Sequence, residues 1–196
     1  KNGMSLKKLH RLIVTSSIYR QSSKVSKKLL DLDPQNRLLA RGPRFRLTGE
    51  LVRDQALAVS GLLIQKIGGP STRPYMPMGV WSETNRYGNL KNYKADTGEG
   101  LYRRSMYTIW KRTAAPPSML LFDAPNREIC TPKRSRTNTP LQALALLNEV
   151  TYVEAARALA QRMMKEGGDT PDSRLTRGFR LVAGRTPDQE TLAILK

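Results

Sequence analysis

Basic side chains gather just before a predicted helix in the C-terminal third of the chain. The segment that leads to Thr139 contains Arg127, Lys133, Arg134 and Arg136. The free N–H groups and the dipole at a helix N-terminus favour anions. We therefore predict that this segment, together with Arg103 and Arg104, binds an anion or a partner domain. The alternative is structural, because arginine forks also bind loop carbonyls and the C-terminal ends of helices within one chain.

Four aromatic side chains lie in the segment 68–100, which has repeated Gly, Pro and Asn without a helical or alternating apolar period. This composition predicts a long irregular loop, and loops longer than about 15 residues are usually functional or disordered. A stacking surface for a sugar or a base could be formed by Tyr75, Trp81, Tyr87 and Tyr93. The alternative is that their large apolar area pins the loop onto the body of the protein.

The sequence offers little for catalysis or for metal binding. It contains one cysteine, Cys130, and one histidine, His10, so an internal disulfide, a Cys/His zinc set and a CxxCH haem attachment are excluded within it. Basic neighbours would make Cys130 reactive, whereas a lone cysteine is more often a small buried hydrophobe. His10 is predicted to be packed or at the surface, without a recognisable partner for general base catalysis. We predict no catalytic residue and no metal site.

Two carboxylates, Glu50 and Asp54, lie one turn apart in a predicted helix. Paired carboxylates can perform acid and base catalysis, but Arg53 accompanies them. We interpret the three side chains as solvated charges on an exposed helix face.

The net charge of the chain is +18, from 34 basic and 16 acidic side chains, and the segments 1–46 and 101–147 hold nearly all of the excess. Such a field attracts polyanions or an acidic protein surface and carries no information about fold. Leu, Ile, Val and Phe form roughly 22% of the chain, close to the level at which highly charged chains stay disordered. A core this lean predicts a fragment whose neighbour covers part of the apolar surface.

Helical patterns account for most apolar residues in the first half of the chain. The spacing over residues 5–20 predicts an amphipathic helix. Pro34 is typical of a first helical position and predicts a short helix that ends after Arg41. A longer helix is predicted to begin at Thr48 and to end at Gly68, where a Gly-Gly-Pro sequence follows.

The second half begins with a predicted strand over 102–110, although a helix is also compatible with that pattern. The remainder, 139–196, is predicted to be helical. Capping-box patterns predict helices near 140, 152 and 187, with caps at Thr139, Thr151 and Thr186. A further helix is predicted over 172–183. The sequence thus predicts one mainly α domain over 1–196, an irregular helical fold with a long Gly/Pro/Tyr-rich loop and at most one short strand pair.

Several distinctive strings occur along the chain. They are LHRLIV (9–14), YRQSS (19–23), NRLLAR (36–41), LYRRS (101–105), WKRT (110–113), FDAPNREIC (122–130) and TNTPLQALALLN (137–148). With these strings the chain resembles, nearly end to end, the planctomycete cytochrome-c-associated C-terminal domain of unknown function (the domain of unknown function 1553 family). Val150 departs from the family pattern, which has a proline there. One continuous helix across the boundary between the helices near 140 and 152 is therefore conceivable.

The resemblance implies a module at the C-terminal end of large exported bacterial proteins, which often carry an N-terminal c-type haem domain and a second domain of unknown function. It implies no established activity. No cofactor is expected in this chain, because the haem would belong to another domain. The chain resembles a family domain that lacks its N-terminal helical portion. The preceding domains of the same polypeptide are therefore the expected partners.

Three functions are compatible with these observations. The first is a non-catalytic scaffold or interaction module of the larger exported protein, and we regard an enzyme as the less favoured class. The second is a binder of anionic polysaccharide or another polyanion, with nucleic acid not expected in an exported setting. The third is an accessory part of a polysaccharide-degrading enzyme, for which we find no catalytic carboxylate pair. No stretch approaches the roughly 20 apolar residues that a membrane span needs, so none is predicted.

Overall fold

The computed structural model describes residues 3–82, 93–111 and 114–196. The chain divides into two compact units, Lys1–Arg46 and Leu47–Lys196. Helices are the main regular secondary structure of both units, which confirms the predicted mainly α fold, and the β structure within the described ranges consists of isolated bridges. None of the helices in these ranges has the length and apolar character that crossing a membrane requires.

The first unit contains two short helices. Helix α1 covers Leu6–Thr15 and begins at Ser5, and helix α2 covers Lys27–Leu32 and begins at Ser26. Each serine oxygen accepts a hydrogen bond from a backbone N–H of the first turn, the usual way in which a hydroxyl starts a helix. The amphipathic helix predicted over 5–20 is therefore present but shorter, because Ser16 adopts an extended conformation.

The short helix predicted after Pro34 is wrong. Asn36 has a φ of +53°, in the left-handed region that interrupts an α-helix. The carboxylate of Asp33 instead accepts hydrogen bonds from the backbone N–H groups of Arg37 and Leu38, at 2.9 and 2.8 Å. These bonds lower the pKa of Asp33 and stabilise a turn in place of the predicted helix.

The second unit is built around one long helix. Its helices are α3 (Gly49–Ser60), α4 (Pro117–Leu121), α5 (Pro140–Asn148), α6 (Val150–Glu166), α7 (Pro171–Ala183) and α8 (Gln189–Leu195). Helix α6 packs on α3, α5 and α7. The buried apolar side chains at the centre include Leu57, Trp81, Met119, Phe122, Tyr152 and Ala155.

Helix α3 ends at Ser60, earlier than the predicted end at Gly68. Gly61 has a φ of +83°, a conformation that side-chain-bearing residues rarely adopt, and it ends the helix. Beyond it Ile64 forms an isolated parallel bridge with Arg103. The apolar spacing that predicted a longer helix therefore continues into extended backbone.

The strand predicted over 102–110 is also wrong. Gly98–Tyr102 and Ser105–Tyr107 form short 3₁₀ turns, and in this segment β pairing is limited to single bridges. One of these bridges joins Thr108 to Thr72 in the long loop. Buried arginine side chains, described below, hold this segment in place of a strand ladder.

The helix starts in the C-terminal part agree with the sequence at Thr139 and differ at two other positions. The predicted capping box at Thr139 is confirmed. Helix α6 begins after Glu149 instead of at Thr151, and helix α8 begins after Asp188 instead of at Thr186. Both corrections have the same cause, because an ionised carboxylate accepts hydrogen bonds from helix N–H groups more strongly than a threonine hydroxyl.

A carboxylate between two guanidinium groups joins α6 to α7. Glu166 accepts hydrogen bonds from Arg162 at 2.8 Å and from Arg177 at 2.6 Å. Arg162 also donates to the carbonyl of Val59 in α3, at 2.6 Å. The hydrogen bonds from Arg162 and then Arg177 lower the pKa of Glu166 to about 2.

The acid sensitivity of the fold should depend on Glu166. Because its folded pKa of about 2 lies below the ordinary value of 4.5, its stabilisation is present above pH 4.5 and is lost as the pH falls towards 2. Glu166→Gln should therefore lower stability at neutral pH and reduce its further loss in acid. Urea unfolding at a series of pH values measures this. Glu190→Gln on exposed α8 is the matched control, and identical acid profiles of the two variants would contradict the prediction.

Candidate functional site

Helix α5 is positioned by hydrogen bonds of its one buried residue, Gln142, which is 3% exposed. The amide nitrogen donates to the carbonyl of Leu121 at 2.8 Å and to the hydroxyl of Thr137 at 3.1 Å. The amide oxygen accepts from the backbone N–H of Thr139 at 3.2 Å. Thr137 itself donates to the carboxylate of Asp123. A polar network thus fixes the N-terminal end of α5.

The leucines of α5 lie on its outer surface. Between 44 and 74% of each side chain is exposed for Leu141, Leu144, Leu146 and Leu147. Single exposed leucines are ordinary, but a contiguous apolar patch on a soluble surface usually marks a binding site. Helix α5 therefore has the reverse of the usual burial pattern, with its glutamine inside and its leucines outside.

The apolar surface continues onto the first turn of α6. Glu149 has an extended backbone, with φ −72° and ψ 135°, so α5 and α6 are separate helices and not one continuous helix. Exposed valines follow, beside Asn148, around a shallow recess. We define the α5–α6 apolar face as Leu141, Leu144, Leu147, Val150 and Val153.

The basic segment before α5 surrounds a recess of about 540 Å³ that Lys133, Arg134 and Arg136 line together with Thr48. We call it the basic recess. Arg134 donates to both carboxylate oxygens of Glu50, at 2.8 and 3.0 Å. Partial burial would raise the pKa of Glu50, but hydrogen bonds from its own backbone N–H and from Arg134 hold it below the ordinary value. The partner of Arg134 is thus an internal acid on α3.

Arg103 lies in the interior, where its guanidinium binds backbone carbonyls at the start of the long loop. It donates to the carbonyls of Lys66, Gly68 and Pro70 at 3.0, 2.5 and 3.1 Å. Its guanidinium carbon also lies 3.8 Å from the ring centre of Tyr107. Arg103 therefore has the structural role, binding loop carbonyls, that was the alternative to anion binding for the predicted arginine cluster.

Two other arginines of the predicted binding set are at the surface. Arg104 is 3.9 Å from the carboxylate of Asp54, with about half of its side chain exposed. Arg127 has a φ of +66° and lies over the ring of Trp110, 4.3 Å from its centre. Neither residue is part of the basic recess.

The family model PSD1, protein of unknown function (DUF1553), matches residues 1–196. The chain belongs to this family. No curated protein and no solved structure gives a significant match to it. The family description gives no activity, so the function of this DUF1553 chain must be argued from its own geometry.

In the DUF1553 chain, two aromatics of the predicted stacking surface pin the loop onto the body. Trp81 is buried, donates from Nε1 to the carbonyl of Ala114 at 2.7 Å, and meets Tyr93 edge-on with ring centres 5.0 Å apart. Tyr75 is half-buried and lines two recesses. Tyr87 lies outside the described residues. Burial removes Trp81 from any stacking surface, while Tyr75 retains an accessible part.

The interpretation of Arg53 and Asp54 as solvated charges is wrong. Arg53 is 5% exposed and donates to the carbonyls of Leu101 and Arg103 at 2.6 and 2.9 Å, and to the Ser105 hydroxyl at 3.2 Å. Asp54 accepts from the backbone N–H of Ser105 at 2.7 Å. The two side chains together hold the 3₁₀ segment against α3.

Helical spacing contains a signal for this role that the sequence interpretation missed. Arg53 lies four residues from both Gly49 and Leu57, and all three are buried on one face of α3. An arginine at such a position must donate to internal acceptors, because burial of an unpaired charge is costly.

The remaining candidates are the single cysteine and the single histidine of the chain. Cys130 is exposed, so the buried-hydrophobe interpretation is wrong, and His10 is exposed on α1. Within the described part of the chain, no group of three or more His, Cys, Asp or Glu side chains is arranged to hold a metal ion. The α5–α6 apolar face and the basic recess are two surfaces on which a function can be argued.

Proposed function

We propose that this chain is a non-catalytic interaction module and that its α5–α6 apolar face binds another domain of a larger bacterial protein. That protein would be exported, of planctomycete type, and would carry a c-type haem in a preceding domain, as the resemblance in strings such as FDAPNREIC implies. The observation that carries the proposal is the reversed burial of α5, with Gln142 inside and the leucines outside.

The energetics of α5 favour docking without rearrangement. Full burial of a leucine contributes about 1.5–3 kcal/mol, and the leucines of this face, which are 55–74% exposed, still have part of that contribution to make. Because Gln142 already fixes the helix through three hydrogen bonds, binding requires little additional ordering of the backbone. A helix held by its polar residue is a preorganised apolar surface.

The partner surface should be apolar at its centre and acidic at its rim. The chain has a net charge of +18, and the basic recess immediately precedes α5 in the sequence. Opposite charges around an apolar contact accelerate association and fix its orientation more than they raise affinity. Added salt should therefore slow binding of the partner without abolishing it.

The double substitution Leu144→Ser with Leu147→Ser should disrupt binding to the separately expressed preceding domains. Both side chains are more than half exposed, so each change should alter the free energy of unfolding by less than about 0.5 kcal/mol. Loss of two interface leucines, at about 1.5 kcal/mol each, should weaken binding by at least about 100-fold. Calorimetric titration and thermal melts measure the two effects.

Ile194→Ser provides the matched control, because Ile194 is an exposed apolar residue on α8. This variant should bind the preceding domains as the wild type does. Wild-type affinity in the leucine double variant would reject the face as the docking surface. Separately, a complete reading frame without an export signal and a CxxCH motif upstream would reject the exported, haem-bearing setting.

A second candidate function, binding of acidic polysaccharide, is supported by the basic recess. The recess has a volume of about 540 Å³ and is lined by Lys133, Arg134 and Arg136 in an exposed loop. Glu50 neutralises part of Arg134, which reduces the positive field that a ligand would meet. Binding should therefore be weak and should collapse as salt rises, because release of condensed counterions drives such association.

Chromatography on a sulfated polysaccharide tests whether the recess itself is responsible. The variant Lys133→Glu with Arg136→Glu should elute at clearly lower salt than the variant Arg157→Glu with Lys165→Glu, which changes the net charge equally at two exposed positions of α6. Equal elution of the two variants would mean that net charge alone causes retention and would reject a site at the recess.

A further inference from the structure

A cavity of about 290 Å³ lies between α4, α5 and the start of α6. Its apolar walls are formed mainly by Pro74, Met76, Pro77, Pro117, Met119 and Leu121. Ala145 contributes to the wall from the inner side of α5. An aliphatic cavity of about 150 Å³ is large enough to hold benzene, so this one has room for a substituted aromatic ring.

Two buried polar side chains that line the cavity have unused hydrogen-bonding groups. Tyr152 is 6% exposed, and its hydroxyl forms no hydrogen bond with any residue in the ranges 3–82, 93–111 and 114–196. The Nε of Arg53 is likewise buried without an acceptor. A buried guanidinium nitrogen normally has a partner, so the Nε of Arg53 requires an explanation. The hydroxyl of Tyr152 is not itself enclosed, so it is open to a ligand or to water.

The position and protonation of Tyr152 suit it to act as a donor. Its ring meets Phe122 edge-on, with centres 6.1 Å apart, which fixes the direction of the hydroxyl. Burial, followed by the nearby carboxylate of Glu149, raises the pKa of Tyr152, while Arg53 opposes the shift. Both of these charged residues line the same cavity. The phenol is therefore protonated at neutral pH and can donate to a ligand.

Charge and wall composition restrict the ligand class. The guanidinium of Arg53 is 4.0 Å from the carboxylate of Asp54. The carboxylate of Glu149 accepts hydrogen bonds from backbone N–H groups in the first turn of α6. A charged ligand would meet a like charge from either Arg53 or Glu149, which favours a neutral molecule. The thioethers of Met76 and Met119 make favourable contacts with ring edges, which favours an aromatic one.

We propose that this cavity binds a neutral aromatic molecule whose hydroxyl or carbonyl oxygen accepts a hydrogen bond from Tyr152. The aromatic ring lies between the prolines and methionines of the walls, and the oxygen lies at the polar end. The cavity adjoins the α5–α6 apolar face, because Leu141 belongs to both. Leu144 and Leu147 do not line the cavity, so the Leu144→Ser, Leu147→Ser variant tests docking without changing this site.

The test uses two probes of nearly the same shape, p-cresol and toluene, with the complete chain. Both should raise the melting temperature of the wild type. Tyr152→Phe keeps the ring against Phe122 and removes the donor, so it should weaken p-cresol binding by about threefold to tenfold and leave toluene binding unchanged. Thermal shift and calorimetric titration give the affinities.

Two further variants identify the place of binding. Ala145→Phe fills the cavity and should abolish binding of both probes, whereas the Leu144→Ser, Leu147→Ser variant should bind them normally. If Ala145→Phe does not fold, the Tyr152→Phe comparison decides alone.

Three results overturn the proposal. The first is the absence of binding of either probe to the wild type. The second is an equal response of both probes to Tyr152→Phe, including no response, as expected if a buried water satisfies the hydroxyl. The third is failure of both probes to bind the wild type, combined with loss of domain binding in the Ala145→Phe variant, which would assign the cavity to a side chain of the partner domain.

Discussion

Replacement of Arg53 by methionine should lower the free energy of unfolding by about 3–5 kcal/mol, the range for removing one partner from a buried charged cluster. Methionine fills much of the same space but donates no hydrogen bonds. The carbonyls of Leu101 and Arg103 and the hydroxyl of Ser105 would lose their donor, and Asp54 would lose the cation 4.0 Å away. The 3₁₀ segment would then detach from α3.

Urea unfolding followed by circular dichroism measures the effect of the Arg53 substitution. Arg157→Met is the matched control, because Arg157 is exposed on α6 and its replacement should change stability by less than about 0.5 kcal/mol. A loss below about 1 kcal/mol in Arg53→Met would mean that water or a shifted side chain replaces the donors. The description of Arg53 as the anchor of the segment would then be incorrect.

Replacement of Arg103 by methionine should cost about 2–3 kcal/mol. The substitution removes three charged hydrogen bonds to the loop carbonyls of Lys66, Gly68 and Pro70 and the contact with the Tyr107 ring. The expected loss is smaller than for Arg53, because Gly68 and its neighbours are exposed and water can reach the freed carbonyls. Thermal and urea unfolding give the value.

The neighbouring residue Arg104 supplies the control for Arg103. Its side chain is about half exposed and pairs with Asp54 at 3.9 Å, so Arg104→Met should cost no more than about 1 kcal/mol. Equal losses of stability for the two substitutions would show that the interior position of Arg103 does not make it more stabilising than Arg104. Increased susceptibility of residues 66–70 to proteolysis in Arg103→Met alone would support the anchoring role.

Local signals predicted the helices of the C-terminal part well. Helix α7 covers Pro171–Ala183, as its local signals indicate. Thr170 caps its N-terminus, Pro171 is in its first turn, and Gly184 ends it in a left-handed conformation. The capping box at Thr139 likewise appears as predicted. These signals act within a few residues of one another, so the sequence alone contains the physics that decides them.

The segment 98–110 could not be predicted in this way, because its conformation depends on a distant residue. The carbonyls of Leu101 and Arg103 bind Arg53, which is about 50 positions away in the chain. Tertiary hydrogen bonds replace the strand that the local alternation of residue types favoured. Periodicity in α3 contained the missing clue, but a charged residue at a buried position is assigned to the surface by default.

The same default explains the unpredicted α5–α6 apolar face. Apolar residues in an amphipathic pattern are assigned to the core by default, so the pattern of α5 gives no sign that Leu144 and Leu147 are exposed. They are exposed because the hydrogen bonds of Gln142 to Leu121 and Thr137 turn the side of α5 that carries Gln142 towards the interior. Sequence alone did identify the basic segment before α5, since its charges are contiguous.

The polar anchoring of α5 separates two kinds of evolutionary constraint on a single helix. A library screened only for retention of the folded state should tolerate most substitutions at Leu144 and Leu147, because those side chains contribute little to the core. The same screen should reject nearly every change at Gln142, whose amide has both donor and acceptor partners. If the leucines nevertheless vary little among natural sequences, selection on binding must be what preserves them.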